Sequence, residues 1–154
     1  MNLSPNFTLA ELTFSQTAID RGLDNSPDPD ALANLERLAV TILQPIRDLV
    51  GCPVHVHDAY RAPAVNAAVG GVPDSQHQLG QAADIDALPD YTLKHLFDVI
   101  RQSTLPFDQV ILEVTGTGGA VHVSCAAVGV APRGQALVRS PEPPWHYTEA
   151  RDAH

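Results

Sequence analysis

The feature that most restricts the fold is a long amphipathic segment, which predicts a helix over residues 29–50. Asp28 and Asp30 suit the positive N-terminal end of such a helix, and Gly51 suits the position after its last turn. Pro45 lies inside the pattern, so we expect a kink there. We expect this helix to support the core without taking part in chemistry. Its apolar residues recur at steps of three and four, which places them on one face: Leu32, Leu35, Leu38, Ala39, Ile42, Leu43, Ile46 and Leu49.

Shorter segments on either side of this helix alternate between helix and strand patterns. Thr8 and Glu11 form a capping box that begins a first helix, expected to end near Ser15. Further helices are expected at residues 17–22, 62–69 and 90–102. Alternation of apolar and polar residues predicts strands at 53–58, 81–87, 108–114 and 120–125, and residues 134–139 could add an edge strand.

The linker TGTGG between two of these strands predicts a two-residue hairpin turn centred on Thr117 and Gly118. A turn at that position pairs Glu113 directly with His122. Their Cβ atoms would then lie on one face of the hairpin, about 5 Å apart. The valines on either side of His122 would face the core.

Length and composition restrict the class of protein. A chain of 154 residues with 44% hydrophobic residues is expected to form a single domain, with a core at about 7–139 and an irregular tail at 140–154. The net charge of −9 argues against nucleic acid and anionic membranes as partners. The sequence has no apolar run of spanning length and no N-terminal secretory pattern, so we expect a protein that is made in the cytoplasm and does not insert into membranes. We also expect it to be a monomer. Cys52 and Cys125 are expected to be two separate half-buried thiols, with a structural bridge or a metal role as less favoured alternatives.

Two histidines and one aspartate are the candidate metal ligands. In the stretch GVPDSQHQLGQAAD, His77 precedes Asp84 by seven positions, and His122 follows in AVHVS. Neutral imidazole and carboxylate are good zinc donors, and three protein ligands leave a fourth position for water. From spacing alone the same residues could instead be solvated or hydrogen-bonded, because H-x₆-D is a permissive pattern.

Several motifs in order give the chain a family resemblance. The order SQH-x₂-G-x-AAD, a strand ending in Glu and then VHVS resembles the zinc D-Ala-D-Ala carboxypeptidases and their peptidoglycan endopeptidase relatives. The upstream segment PVHVHDAYRAPAVNAAVGG is similar to the strand and S-G-Y-R-S-P-x-x-N stretch of that family. The similarity covers roughly residues 7–139. It implies an α+β fold, with a small antiparallel sheet, helices packed on one side of it, and zinc in a groove on the other side.

The resemblance also assigns roles to residues. It implies that His77, Asp84 and His122 bind Zn²⁺, and that Glu113 is the general base for a zinc-bound water. Arg61 is implied to polarise the scissile carbonyl and to stabilise the oxyanion. Without the resemblance, Glu113 could be an ordinary strand glutamate and Arg61 a surface arginine.

Other polar residues near the motif are weaker candidates. Asp108 is the second candidate for the base, although a strand-start aspartate is more often a local cap. Asp86 could lie behind the ligands or replace one of them, and His55 and His57 are expected to be exposed or to support the site. The residues expected to shape the loop or contact substrate are Ser75, Gln76 and Tyr60.

Two positions depart from the family pattern. The tryptophan that often precedes V-H-V-S is Ala120 here, so a wall that packs against substrate is expected to be missing. The S-G of S-G-Y-R is Asp58-Ala59, which adds a negative charge near Arg61. Both departures affect the expected substrate preference more than the metal site.

The resemblance implies a zinc peptidase that cleaves peptidoglycan stem or cross-bridge peptides. With no secretory signal in view, a phage or prophage endolysin released through a holin, or a virion-carried lysin, is the expected setting. A bacterial dipeptidase of the vancomycin-resistance type is a further possibility. The alternative from another class is a non-catalytic module that binds wall fragments or forms part of a virion.

Overall fold

The long predicted helix is present as a continuous rod with a widened middle. In the computed structural model, which describes residues 1–116 and 118–150, it comprises α3 (Pro29–Leu38), a π-helical segment (Ala39–Leu43) and α4 (Gln44–Val50). Asp28 caps its start by accepting a hydrogen bond from the Ala31 amide. Gly51 ends it in the left-handed conformation, with φ of 66°.

The π-helical segment is how the helix accommodates Pro45. Proline has no N–H, and its ring collides with the carbonyl four residues earlier in a regular helix. The Gln44 amide donates to the Ala39 carbonyl, five residues back, so the turn before the proline is wider than an α-helical turn. The expected irregularity therefore takes the form of a π segment.

The shorter elements follow the sequence patterns with small changes in their bounds. Thr8 caps the first helix by accepting from the Glu11 amide at 3.1 Å, and that helix ends at Thr13. The remaining helices are α1 (Leu9–Thr13), α2 (Gln16–Arg21), α5 (Pro63–Ala68), a 3₁₀ turn (Gln76–Leu79) and α6 (Leu93–Arg101). The strands are β1 (Asn2–Ser4), β2 (Phe7–Thr8), β3 (His55–Asp58), β4 (Ala82–Asp86), β5 (Gln109–Thr115), β6 (Gly118–Ser124), β7 (Gln135–Arg139) and β8 (Tyr147–Glu149).

The central sheet has the order β3-β4-β6-β5-β7-β8 within the described part of the chain. The expected α+β class is confirmed. The expectation of an entirely antiparallel sheet is wrong at one place, because β7 pairs with β5 in parallel. The other pairings in this sheet are antiparallel. A parallel pair requires a crossover, which residues 125–134 supply between β6 and β7.

One face of this sheet packs on the helices, and the other carries polar groups. Alternate residues of each strand point to opposite faces. The apolar face and the helices share one core, which includes Leu35, Leu38, Ile42, Ile46, Ile85, Leu96, Phe97, Ile100, Val110, Leu112, Val121 and Val123. Cys52 and Cys125 are both buried free thiols.

The β5–β6 hairpin has a different register from the one expected. Glu113 pairs with Ala120, and His122 pairs with Ile111. The predicted direct pairing of Glu113 with His122 is therefore wrong by two residues. A shift of two residues keeps every side chain on its face, whereas a shift of one would reverse it. Thr117, one of the two predicted turn residues, lies outside the described residues.

The C-terminal segment is not the irregular tail that its prolines suggest. Strand β8 pairs with β7, with Tyr147 opposite Arg139, so β7 is an internal strand and not the predicted edge. Residues 151–154 of the predicted tail lie outside the described residues. Among the helices in the described ranges, none is long and apolar enough to cross a membrane.

Candidate metal centre

The candidate site residues lie in rows across the polar face of the sheet. Cross-strand pairing aligns Asp84 of β4 with His122 of β6, and His122 with Ile111 of β5. The next row along brings Glu113 of β5 beside Ala120 of β6. Residues that pair across strands share a face, so Asp84, His122 and Glu113 all point to the same side.

His77 reaches this face from the 3₁₀ turn that precedes β4. Ser75 caps that turn by accepting from the His77 amide at 3.2 Å, and Gly80 ends it with φ of 74°. The His77 Nδ1 lies 2.7 Å from the Ala59 carbonyl oxygen. Because a carbonyl can only accept, Nδ1 carries the proton, and the lone pair of Nε2 is left for the site.

Three donor atoms converge beside the sheet. Asp84 Oδ1 lies 3.4 Å from His77 Nε2 and 3.1 Å from His122 Nδ1, and the ligand atoms of the three residues all lie within 4.8 Å of one another. Ligands held at about 2.0–2.1 Å from one tetrahedral zinc ion lie roughly 3.3 Å apart. The three side chains therefore fit a metal ion of that size and geometry.

The charges of these groups favour a cation between them. Burial disfavours the ionised form of Asp84, but hydrogen bonds from His122 and His77 outweigh it and hold the pKa of Asp84 far below its usual range. Burial lowers the pKa of His77, but the hydrogen bond and charge of Asp84 outweigh it, so that this pKa is raised. An ionised, largely enclosed Asp84 requires a positive partner, which a proton or a metal ion can supply.

Glu113 lies next to this cluster, and its pKa is raised above the ordinary value for glutamate. Burial raises the pKa of Glu113, the charge of Asp84 raises it further, and His122 and Arg139 act in the opposite direction. The Glu113 Oε2 accepts a hydrogen bond from Arg139 Nη1 at 3.1 Å. A carboxylate whose pKa is raised toward the working pH is an effective general base.

Arg61 is anchored on the opposite side of the cluster. Its backbone amide donates to the His77 carbonyl at 3.0 Å, which links the two segments. Its Nε lies 3.0 Å from Asp58 Oδ2, so the negative charge that departs from the family pattern is paired with Arg61. Burial raises the pKa of Asp58, while His77 and Arg61 lower it. Gly71 leaves room for the guanidinium, because a Cβ there would lie 2.9 Å from Arg61 Nη1.

Asp108, the second candidate for the base, serves a structural purpose. It accepts hydrogen bonds from the Arg133 backbone amide and side chain at 2.7–3.1 Å, and from Gln76 Nε2 at 3.1 Å. The hydrogen bonds from Arg133 hold the pKa of Asp108 below its usual range. Asp108 therefore fixes the Arg133 loop and the turn that carries His77.

The remaining candidates divide between the groove and the core. Ser75 and Gln76 line the groove beside the ligands. Tyr60 does not approach it, because its side chain is 4% exposed and belongs to the core.

His57 and Asp86 contact each other and are not part of the donor cluster. Asp86 also accepts a hydrogen bond from the Leu88 amide. His55 is exposed and lies 3.2 Å from the Leu88 carbonyl. The contacts shown for Asp86 are therefore with His57 and the Leu88 amide, and Asp86 does not replace a member of the donor cluster.

The site opens into a groove of about 480 Å³. All three donor residues line it, together with Glu113 and Arg61. Sequence reasoning missed the residues contributed by the C-terminal part of the chain: Arg133, Leu137 and Tyr147. It also missed Arg139, which contacts Glu113. For Leu137 and Arg139 the signal was the strand pattern at 134–139, which does not reveal which strand it joins.

These donors determine the kind of reaction that the site can serve. Two imidazoles and a carboxylate that can hold a cation, with a second carboxylate in the same groove, are the groups that a metal-dependent hydrolase requires. The family model described as Peptidase M15 matches residues 5–124. The chain therefore belongs to the peptidase M15 family and is a metallopeptidase. No curated protein matches the chain. The family match ends before β7 and β8, short of residue 139, to which the resemblance was expected to extend.

Proposed function

We propose that this protein is a zinc peptidase that hydrolyses amide bonds in the stem or cross-bridge peptides of peptidoglycan. The observation that carries the proposal is the convergence of His77 Nε2, His122 Nδ1 and Asp84 Oδ1 in a groove that Glu113 also lines. Two imidazoles and one carboxylate, with a fourth position left for water, form a donor set that catalytic zinc sites use, and the resemblance to zinc peptidases selects zinc for this site.

The protein groups have separate tasks in this proposal. When bound, zinc would act as a Lewis acid and would lower the pKa of water. Glu113 accepts the proton of the attacking water and passes it to the nitrogen of the leaving amine. Arg61, which is permanently charged, stabilises the negative charge that develops on the carbonyl oxygen. The Ala59 carbonyl holds the neutral form of His77 in the tautomer with the proton on Nδ1, so the lone pair of Nε2 is the one offered to a metal ion.

The substrate class rests on the sequence resemblance, and the groove is compatible with it. A hollow of about 480 Å³ can hold a short peptide segment. The wall expected to be lost at Ala120 has a counterpart, because Tyr147 lines the same groove from β8. We propose that the enzyme acts on the cell wall, as an endolysin released through a holin or as a virion-carried lysin.

Mass spectrometry of purified peptidoglycan, digested with and without a zinc chelator, tests this function. We expect new peptide ends that disappear with chelator and return with added zinc, and these ends identify the bond. The zinc-loaded variant Glu113→Gln should retain metal and lose turnover by roughly 10²- to 10⁴-fold. Glu36→Gln, an exposed position on α3, is the matched control and should hydrolyse at the wild-type rate.

Two results would contradict the proposal. A zinc-loaded wild-type protein that produces no new ends would favour the non-catalytic binding module. Glu113→Gln turning over as fast as wild type would remove Glu113 from its role as base.

A further inference from the structure

Strands β7 and β8 lie after the part of the chain that matches the family model, and they contribute further residues to the surroundings of the site. The match ends at residue 124, and β7 then pairs in parallel with β5, with Val138 beside Leu112. The next residues along these strands are Arg139 and Glu113, which place the guanidinium next to the carboxylate. The polar face thus gains a row that runs from Ala120 through Glu113 and Arg139 to Tyr147.

Arg139 is held on both sides. Its Nη1 donates to Glu113 Oε2 at 3.1 Å, and its guanidinium carbon lies 4.0 Å from the centre of the Trp145 ring. The Arg139 side chain is 14% exposed, so Trp145 and the sheet shield it from water. A shielded contact between arginine and carboxylate is stronger and better oriented than an exposed one.

The connection between β7 and β8 fixes the tryptophan over the arginine. The Ser140 amide donates to the His146 carbonyl at 2.7 Å, and the His146 amide donates to Ser140 Oγ at 2.9 Å. These bonds close residues 140–146 into a tight loop that carries Trp145. The conformation of this loop therefore holds the Trp145 ring against the Arg139 guanidinium.

Arg139 acts on the reaction through Glu113. Glu113 is among the residues that line the groove, and within the described part of the chain Arg139 is not. We propose that Arg139, clamped by Trp145, is a positioning residue that fixes the Glu113 carboxylate for proton transfer; this inference rests on the proposed function. With Oε2 held by Arg139, Oε1 is the oxygen that takes the proton from the attacking water and returns it to the leaving amine.

The test is a double-mutant cycle with kinetics and metal analysis. Arg139→Met removes the charge and keeps the side-chain volume. We expect kcat to fall by about 10- to 100-fold, as for a misplaced catalytic group, with KM changed less than about twofold and zinc content unchanged. In the Glu113→Gln background, Arg139→Met should change the residual rate by less than about twofold, since no base remains to position. Arg139→Lys should recover part of the lost kcat.

Trp145→Ala is a second variant that leaves the hydrogen bonds of the sheet in place. It should lower kcat in the same direction by a smaller factor, and this effect should also vanish in the Glu113→Gln background. The inference is overturned if Arg139→Met leaves kcat unchanged. Equal losses from Arg139→Met with and without the Glu113 carboxylate would overturn it as well.

A separate readout keeps this inference distinct from the proposed function. If the zinc-loaded wild type cleaves nothing, the proposed function fails. Thermal unfolding of the four proteins of the cycle, which are the wild type, Arg139→Met, Glu113→Gln and the double variant, still tests the contact. Non-additive shifts in Tm show that Arg139 and Glu113 are coupled in the folded protein. Additive shifts show that the carboxylate is not held by Arg139, and the inference then fails on its own.

Discussion

Gly80 allows the turn that carries His77 to pack closely against the long helix. Its φ of 74° is in the left-handed region, and a Cβ built there would lie 2.6 Å from the Ala31 carbonyl oxygen and 3.1 Å from Leu35 Cγ. Asn34 of the same helix donates to the Leu79 carbonyl at 2.8 Å. We therefore predict that Gly80→Ala separates the His77 turn from α3.

The expected loss of stability has two parts. Holding alanine in the left-handed conformation costs about 1–2 kcal/mol. The contact with the Ala31 backbone adds the strain of overpacking, which is about 1–3 kcal/mol, because neither backbone can yield without moving its element. Gly51→Ala is the matched control, since Gly51 has φ of 66° and no atom within 4 Å of the built Cβ. Only the first part applies there.

Thermal unfolding monitored by circular dichroism, with chelator present, measures both variants free of metal stabilisation. One kcal/mol corresponds to roughly 2–4 °C in Tm for a chain of this size. Gly51→Ala should lower Tm by roughly 2–8 °C, and Gly80→Ala by about twice as much or more. Gly80→Ala should also weaken zinc binding, because His77 moves with the turn, and Gly51→Ala should not. Equal Tm losses together with unchanged zinc affinity would refute this account of the turn.

Three further substitutions test individual residues. His77→Ala should lose zinc by elemental analysis, while the control His57→Ala keeps it; full occupancy in His77→Ala would remove His77 from the site. Arg61→Met should lower kcat by roughly 10²- to 10³-fold at unchanged zinc content, and an unaltered kcat would assign the oxyanion to another group. Asp108→Asn should lower the free energy of unfolding by about 1.5–3 kcal/mol at pH 7. Because the folded-state pKa of Asp108 is lowered, its contribution is present above the unfolded value and is lost as pH falls below about 4. Urea unfolding at pH 7 and pH 3 should show the difference from wild type shrinking in acid, and a constant difference would contradict the charged contact.

The sequence predicted those parts of the fold that depend on local patterns. The helix over 29–50 has a period of apolar residues that only a helix can bury on one side, and Gly51 and Asp28 mark its ends. The candidate metal ligands could be predicted because His77, Asp84 and His122 lie in short motifs whose order is specific. The structure brings their donor atoms together, and the ion itself belongs to the proposal.

The hairpin register could not be predicted from its linker. Three glycines in TGTGG allow the turn to be centred at more than one position. The structure places Gly119 inside β6 with φ of 130°, where a Cβ would lie 2.1 Å from the Glu113 carbonyl oxygen. Only glycine allows that approach, and the pairing differs from the predicted one by two residues. Glu113 stayed on the correct face because the period of a strand is two.

The contribution of the C-terminal segment to the sheet and to the site also could not be predicted from local sequence patterns. Parallel pairing of β7 with β5 joins strands separated by a crossover, and nothing in residues 134–139 specifies that partner. The prolines after Ser140 indicate a turn-rich stretch, but the pairing of Tyr147 with Arg139 depends on the finished sheet. As a result, Arg139 was not recognised as a neighbour of Glu113.

X-ray absorption spectroscopy of the zinc-loaded protein tests the central claim most directly. The account predicts a four-coordinate shell of nitrogen and oxygen at about 2.0–2.1 Å, with outer-shell scattering from two imidazoles. A sulfur neighbour at about 2.3 Å would place the metal on Cys52 or Cys125 instead. A shell without imidazole scattering would likewise contradict a site built from His77, Asp84 and His122.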